Sequence, residues 1–169
     1  MRTITSADNQ RAELVLCHTN DKGTGSAVKF AVVPASCYET GGLKVTFAHQ
    51  SGKTIDWKNT SIETLMEFED VAKLLEVLRG ETESINNNLG LRFERMAKGF
   101  SSYLSVPCKL YFKHILEPDS GYRFNVHECD NGIDEGLNWT IILTNAEAMG
   151  LAIALENSMS AIAFGLWRW

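Results

Sequence analysis

Cations and an aromatic ring alternate on one predicted β-strand, a spacing that could bind a nucleic-acid strand. Residues 109–116 have the sequence Lys-Leu-Tyr-Phe-Lys-His-Ile-Leu. Because side chains alternate across a strand, Lys109, Tyr111 and Lys113 are predicted to share one face with Ile115. In single-strand-binding grooves, aromatic rings stack on bases and lysines neutralise phosphates. The pattern therefore favours a site for single-stranded nucleic acid, whereas the simpler alternative is an ordinary solvated sheet face.

Further cations and aromatic residues on neighbouring segments extend this candidate site. An aromatic ring again lies beside a cation at Tyr122 and Arg123, on the strand that returns after the predicted turn at 118–121. Trp57 lies beside Lys58, although packing in the core explains a tryptophan here at least as well. The candidate phosphate-binding residues are Lys22, Lys29, Lys44, Lys53, Lys58, Lys109, Lys113 and Arg123, and the candidate base-stacking residues are Tyr38, Tyr111, Tyr122 and Trp57.

No group of residues predicts a catalytic or metal site. The sequence has no GxSxG, HExxH or P-loop motif, and the glycine-rich segment at 22–25 lacks Walker spacing and precedes a strand. His127 and Cys129 are too few ligands for a metal, and the acidic loop at 130–135 lacks EF-hand spacing. We therefore predict no catalytic residue, no metal and no cofactor.

The composition indicates a soluble globular protein of one domain. The chain has 169 residues, of which 44% are hydrophobic and 22% charged, with a net charge of −5. This excludes disorder of the whole chain, and the absence of a long apolar run argues against a membrane partner. The chain has four cysteines but no CxxC pair, which predicts reduced thiols. Its N-terminus has no apolar signal region, so the predicted location is the cytoplasm or, after processing, an organelle matrix, and secretion is not expected.

Charge is segregated into blocks along the chain. Residues 22–58 carry a balance of +3 and residues 91–116 one of +4, whereas residues 59–90 and 117–169 carry −5 and −6. Solvated faces and chance produce such blocks in many proteins. The sharper interpretation is that the two basic blocks share a surface that binds a polyanion. Only the spatial arrangement decides between the two.

Hydrophobic periodicity predicts strands followed by a helix, twice over, which indicates an α+β protein with antiparallel sheets. The predicted strands are 26–33, 43–50, 53–58, 61–66, 109–116, 122–129 and 137–143. The predicted helices are 67–79 and a second one that opens at the Thr144–Glu147 capping box and ends near Phe164. On strand 109–116 the core face is predicted to hold Leu110, Phe112, His114 and Leu116.

The domain prediction is a short N-terminal arm followed by one domain of two similar halves. Residues 1–21 are predicted to form a short helix or an arm, and residues 22–169 the single domain. The two halves are joined by the connector 81–106. Its polar part, residues 81–99, is predicted to be mobile or partly helical.

Five segments in register resemble the Whirly family of single-stranded DNA-binding proteins. They are Lys22–Ala27, Ile55–Lys58, the helix 67–79, the hairpin Lys109–Val126, and Ile142–Glu147 leading a helix that ends in Gly165-Leu166-Trp167. Order and spacing agree over about residues 22–167. The sequence departs from the family where Thr24 replaces the second lysine of a Lys-Gly-Lys motif and Ile55 replaces the tyrosine of Tyr-Asp-Trp. A looser resemblance to kinetoplastid guide-RNA-binding proteins of the same fold keeps RNA open as a ligand.

The resemblance implies two roughly perpendicular four-stranded antiparallel sheets, with a helix after each. It also implies a homo-oligomer, a cyclic tetramer with helices at its centre and sheets radiating outward. With the residue pattern, it favours a non-enzymatic single-stranded DNA-binding protein of little sequence specificity, acting in DNA replication, repair, recombination or transcription. The alternatives are an RNA-binding or annealing protein of the same fold, and a protein-interaction scaffold that uses Trp167-Arg168-Trp169.

Overall fold

Thirteen elements follow one another along the part of the chain that the structure describes. A computed structural model describes residues 13–36, 40–85, 93–96, 103–116, 120–128 and 138–165. Tyr38 and the segment 167–169, both singled out by the sequence, lie outside these ranges. The elements are β1 (Glu13–His18), β2 (Ser26–Val33), β3 (Gly42–Ser51), β4 (Thr54–Ile55), β5 (Ile62–Met66), α1 (Phe68–Leu78), β6 (Ser84–Ile85), β7 (Phe93–Met96), β8 (Tyr103–Val106), β9 (Cys108–Ile115), β10 (Gly121–Glu128), β11 (Asn138–Leu143) and α2 (Asn145–Phe164).

The strands form two antiparallel sheets, and one helix follows the main strands of each. The first sheet has the order β1-β2-β3-β5-β7-β8, with β4 paired to β3, and the second has the order β11-β10-β9-β6. The predicted α+β class with two antiparallel sheets is confirmed. The first sheet has seven strands rather than the expected four, because β1 and the β7–β8 hairpin join the strands predicted for it.

The core lies where the inner faces of both sheets meet the two helices. Phe47 of the first sheet and Phe112 of the second each pack edge-to-face on Phe124, with ring centroids 4.9 Å apart in both pairs. Trp139 of β11 is fully buried among them. Each such side chain contributes about 1.5–3 kcal/mol through burial. The helices add Val71, Leu74 and Val77 from α1 and Leu151, Leu155 and Ile162 from α2.

Both ends of α2 are fixed by local chemistry. Thr144 and Glu147 form the predicted capping box, in which each side chain bonds the other residue's backbone N–H. The helix ends at Gly165, whose φ of +67° favours glycine. A Cβ there would lie 1.8 Å from the Ala35 carbonyl oxygen, so the loop after β2 packs directly on this helix end.

Three sequence-based expectations about local structure were wrong. The strand predicted at 53–58 is only Thr54–Ile55, because the Asp56 carboxylate accepts backbone hydrogen bonds from Lys58 and Asn59 and closes a turn. The connector is not helical where it is described, since β6 pairs with the second sheet and β7 with the first. Leu116, expected in the core, is 72% exposed.

Two further observations concern the N-terminal segment and the helices. Residues 13–18 of the predicted arm form β1, an edge strand paired antiparallel with β2 along its whole length. Within the described residues, no helix combines the length and apolar character needed to cross a bilayer.

Candidate nucleic-acid interface

The outer face of the second sheet places three rows of side chains side by side across its strands. The register of β9, β10 and β11 aligns them as Lys113–Arg123–Ile142, Tyr111–Asn125–Thr140 and Lys109–His127–Asn138. These residues alternate with the buried ones of each strand, so the alternation predicted for β9 is confirmed between Lys109 and Lys113. The middle row is uncharged and holds the aromatic ring, while cations flank it on both sides.

Three cations on this face have no ion-pair partner among the residues that the structure describes. Lys109, Lys113 and Arg123 are exposed, and none of them forms an ion pair with another described residue. The outward-facing described residues of β6, β9, β10 and β11 include no Asp or Glu. The described strands of this face therefore present three cations that a phosphate can contact.

The two tyrosines of this hairpin lie on opposite faces. Tyr111 is 38% exposed, between Lys109 and Lys113, so its ring is available to a base. Tyr122, although adjacent to Arg123, points inward, where its ring stacks on His114 at 4.6 Å and on Phe112 at 5.7 Å. The structure thus brings Tyr111, Lys109, Lys113 and Arg123 together and leaves Tyr122 on the core side.

The outer face of the first sheet also holds lysines, but these have partners. Lys44 Nζ lies 2.9 Å from a carboxylate oxygen of Glu63, and Lys29 Nζ lies 3.6 Å from one of Glu13. Lys29 Nζ also lies 5.3 Å from the centre of the Trp57 ring, a cation–π contact. A phosphate approaching this face would meet two carboxylates as well as two lysines.

Solved structures of other proteins resemble this arrangement of sheets and helices. No family model and no curated protein sequence matches the chain. The plant transcriptional regulator PBF-2 matches with a TM-score of 0.65 at 16% identity, covering 92% of both chains. WHY3 from Arabidopsis thaliana matches with a TM-score of 0.66 at 17% identity, covering 92% of this chain and 90% of that one. MRP1/MRP2 of Trypanosoma brucei match at 0.60 and 14%, covering 90% and 86%.

The chain has the Whirly fold. This confirms, for the fold, the resemblance indicated by five sequence segments. These structures are 20% or less identical to the chain, so what they establish is the fold. The roles of individual residues must come from the geometry of this chain.

In this Whirly-fold chain, the turn that carries Trp57 and Lys58 lies against the edge of the second sheet. Trp139 Nε1 donates a hydrogen bond of 2.7 Å to the Thr60 carbonyl, and the His49 ring stacks on Trp139 with centroids 5.6 Å apart. Partial burial lowers the pKa of His49, which favours the neutral form of the ring against the tryptophan. The turn that carries the exposed Lys58 is thereby held against β11.

The same turn keeps a fixed negative charge. Hydrogen bonds from the Asn59 side chain, and then from its backbone, lower the pKa of the Asp56 carboxyl. The carboxylate accepts the N–H groups of Lys58 and Asn59, so its charge is used in closing the turn.

Lys22 and Lys53 lie on two adjoining turns at one end of the first sheet. The nearly buried Gln50 side chain joins these turns, because its oxygen accepts from the backbone N–H groups of Asn20 and Gly25 while its nitrogen donates to the carbonyls of Asn20 and Gly52. Both lysines are exposed there. This end of the first sheet adjoins β11, because the Ser26 hydroxyl donates to the Thr140 carbonyl at 2.6 Å.

The polar residues of the second sheet's outer face were missed by the sequence analysis. Asn125, Asn138 and Thr140 lie in the same rows as Tyr111 and Lys109. They carry neither charge nor aromatic ring, so no compositional signal marks them, although alternation along the predicted strands 122–129 and 137–143 would have placed them outward.

Among the described residues, no three His, Cys, Asp or Glu side chains are arranged to hold a metal ion.

Proposed function

We propose that this Whirly-fold chain is a non-enzymatic protein that binds single-stranded DNA on the outer face of its second sheet. The observation that carries the proposal is a set of cations without an ion-pair partner among the described residues, Lys109, Lys113 and Arg123, around the exposed ring of Tyr111. Alternation along the strand grouped Lys109, Tyr111 and Lys113, and the sheet register puts Arg123 directly opposite Lys113. No cofactor is needed for this function.

The face suits a single strand better than a duplex. A base can stack on Tyr111, which would contribute about 1–3 kcal/mol, only when it is not already stacked within a helix of paired bases. The cations on either side of the ring can then hold phosphates that precede and follow that base. Stacking and phosphate contacts are tolerant of sequence, so little sequence preference is expected from them.

The other candidate residues have less direct support as contacts for a bound strand. Lys58 and Trp57 lie on the turn that Trp139 of β11 contacts through the Thr60 carbonyl, and Trp57 also contacts Lys29 of the first sheet. Lys29 and Lys44 must each exchange a glutamate for a phosphate, and Lys22 and Lys53 lie on the two turns that the Gln50 side chain joins. We propose that these four add to a long-range positive potential more than to direct contacts.

We also propose that the chain assembles into a homo-oligomer. By analogy with proteins of this fold, we expect a cyclic tetramer. One side of α2 exposes large apolar residues: Met149 is 67% exposed, Ile153 54% and Phe164 72%. At 100° per residue these three lie within about 60° of one another around the helix axis. Such an apolar stripe is expected to be covered by another copy of the chain.

Light scattering on a sizing column tests the assembly. We expect a mass four times the 18.8 kDa of the chain, and we expect Ile153→Lys to reduce it because a charge on the stripe cannot be buried without a partner. The matched control is Val15→Lys, which places the same charge at an exposed apolar residue of β1. An unchanged mass in Ile153→Lys would exclude this stripe as the interface.

The biological role that we propose is support of DNA replication, repair, recombination or transcription. The structural neighbour PBF-2 is described as a plant transcriptional regulator, which favours the last of these. The deciding experiment measures fluorescence anisotropy of a labelled oligo(dT) of about 30 nucleotides over a range of salt concentrations, with duplex DNA and RNA of equal length as competitors. A log-linear fall of affinity with salt, and weak competition by duplex, are expected.

Alanine variants connect that result to the proposed face. Replacing Lys109, Tyr111 and Lys113 together should weaken binding and flatten its salt dependence, whereas Lys73→Ala on α1 removes a lysine elsewhere and should change neither. Better competition by RNA than by DNA would reassign the ligand to RNA. No binding at low salt would reject the proposal and favour a protein-interaction scaffold.

A further inference from the structure

One polar side chain beside Tyr111 is oriented by its neighbours in a way that could discriminate between bases. Asn125 lies directly opposite Tyr111 across the β9–β10 pair, so their Cβ atoms are about 5 Å apart. Its amide nitrogen contacts Asn138 Oδ1 and Thr140 Oγ1, and lies 3.4 Å from the Trp139 carbonyl oxygen. A carbonyl oxygen can only accept, which identifies the group facing β11 as the nitrogen.

In this network the nitrogen of the Asn125 amide is engaged, and its oxygen remains available as a hydrogen-bond acceptor. Both N–H donors of Asn125 are directed toward β11, where the Thr140 hydroxyl accepts one and in turn donates to Asn138 Oδ1 at 3.1 Å. No hydrogen bond to Asn125 Oδ1 is found within the described part of the chain. Beside the aromatic platform, the outer face therefore presents an oriented acceptor, and the donors of the same amide are occupied.

This chemistry distinguishes bases by the group at their exposed edge. Cytosine and adenine carry an exocyclic amino group that projects from the ring and can donate to an acceptor. Thymine and uracil carry a carbonyl at the corresponding position, and their ring N–H lies between two carbonyl oxygens. Those oxygens would face Asn125 Oδ1 with no donor to satisfy them, because the amide N–H groups are held by Thr140 and Asn138.

We propose that Tyr111 and Asn125 form a base-recognition subsite that favours a base with an exocyclic amino group, which cytosine, adenine and guanine carry, over thymine or uracil. The inference rests on the proposed function, since it requires a strand on this face, and it adds a preference at one nucleotide to binding that otherwise tolerates any sequence. Thr140 and Asn138 are positioning residues, because they act by orienting the Asn125 amide.

The test compares two pyrimidine homopolymers that differ at the exocyclic position. Binding of oligo(dC) and oligo(dT), each of about 12 nucleotides, is measured by anisotropy at pH 8 and low salt. The wild-type chain should bind oligo(dC) about fivefold more tightly, the size expected of one net hydrogen bond. Asn125→Ala should lower this ratio to about one while the affinity for oligo(dT) stays within about twofold of wild type.

Two further variants separate recognition from folding and from stacking. Thr140→Val keeps the shape of the side chain but frees one amide N–H, so it should reduce the preference by raising the affinity for oligo(dT). Tyr111→Ala should weaken both oligomers alike. The control Glu76→Gln, at an exposed residue of α1 away from both the strand-binding face and the apolar stripe of α2, should leave the ratio unchanged.

The outcomes distinguish this inference from the function on which it rests. Equal affinities for oligo(dC) and oligo(dT), with both weakened by Tyr111→Ala, would overturn base recognition and leave strand binding intact. A preference that survives in Asn125→Ala would also overturn the subsite. Absence of binding to either oligomer at low salt would overturn strand binding itself and the subsite with it.

Discussion

The outer faces of the two sheets both carry lysines, but the two faces differ in what surrounds those lysines. On the first sheet, Lys44 is 2.9 Å from Glu63 and Lys29 is 3.6 Å from Glu13. On the second sheet, the three cations have no carboxylate partner among the described residues, and an exposed tyrosine lies between the two lysines of β9. The faces therefore differ in available charge, although each would be counted as basic from its strand sequences.

The difference shows why a count of lysines does not locate a phosphate-binding surface. An exposed ion pair is worth only about 0–1 kcal/mol, so a phosphate could displace a glutamate from a lysine at small cost. The displaced carboxylate, however, stays on the same face and repels the phosphate. A cation without a partner meets neither cost, which is why the second sheet is the stronger candidate.

The largest expected effect comes from removing the unpaired cations. Replacing Lys109, Lys113 and Arg123 together by alanine should weaken binding of oligo(dT) about 100-fold at low salt, if each lost phosphate contact costs about 1 kcal/mol. The slope of log affinity against log salt should decrease by about 2, since each contact to a single strand contributes about 0.7. Anisotropy titrations at four or more salt concentrations measure both quantities.

The first sheet supplies the matched comparison for that variant. Lys29→Ala with Lys44→Ala should weaken binding only about twofold, because Glu13 and Glu63 already offset these charges. A loss as large as that of the second-sheet variant would show that the two faces contribute equally, and the contrast drawn between them would be wrong.

A smaller effect, of opposite sign, should follow when the lysines of the first sheet are released. Glu13→Gln with Glu63→Gln keeps the shape of both side chains and removes the carboxylates that pair with Lys29 and Lys44. We expect binding about threefold tighter and a salt slope steeper by about 1, as two phosphate contacts become possible. Glu76→Gln, on the exposed side of α1, is the control that changes charge without freeing a lysine. If Glu76→Gln tightens binding to the same degree, the effect comes from the change in net charge and not from the release of Lys29 and Lys44.

Much of the second sheet's outer face could be predicted because alternation along a strand is a local property. Residues 109–113 were assigned to the correct faces, and the bounds of the strand 26–33 agree with β2. Three residues later the same reasoning was insufficient for Leu116, because it lies beyond the last paired residue of β9, where no described strand covers it.

What could not be predicted depends on which strands become neighbours. The pairing of Lys44 with Glu63 requires the register of β3 with β5, and that of Lys29 with Glu13 requires β1, a strand the sequence did not reveal. Tyr122 shows the same dependence, since its position opposite His114 fixes it on the core side. Local pattern thus gives the two faces of a strand, and sheet register decides which charges and rings meet.

The smallest expected effect concerns the junction that holds the two faces in their relative positions. His49, on the inner side of β3, stacks on Trp139 of β11, and burial lowers its pKa below the usual 6.5. Between that lowered pKa and about 6.5 the unfolded chain binds more protons at this residue than the folded one. The contribution of His49 to the free energy of unfolding is therefore complete above pH 6.5, and it decreases as the pH falls through this window.

Thermal unfolding followed by circular dichroism at pH 7.5, 6.5 and 5.5 measures this dependence, with His49→Phe as the comparison. Phenylalanine keeps a ring against Trp139 and cannot titrate, so its midpoint should decrease less on acidification than that of the wild-type chain. An identical decrease in both proteins would assign the acid sensitivity to groups away from the junction. A loss of affinity for oligo(dT) in the wild-type chain alone, as its unfolding midpoint falls, would have a further meaning. In that case the outer face of the second sheet depends on the contact between His49 and Trp139 for its shape, as well as on its own cations for its charge.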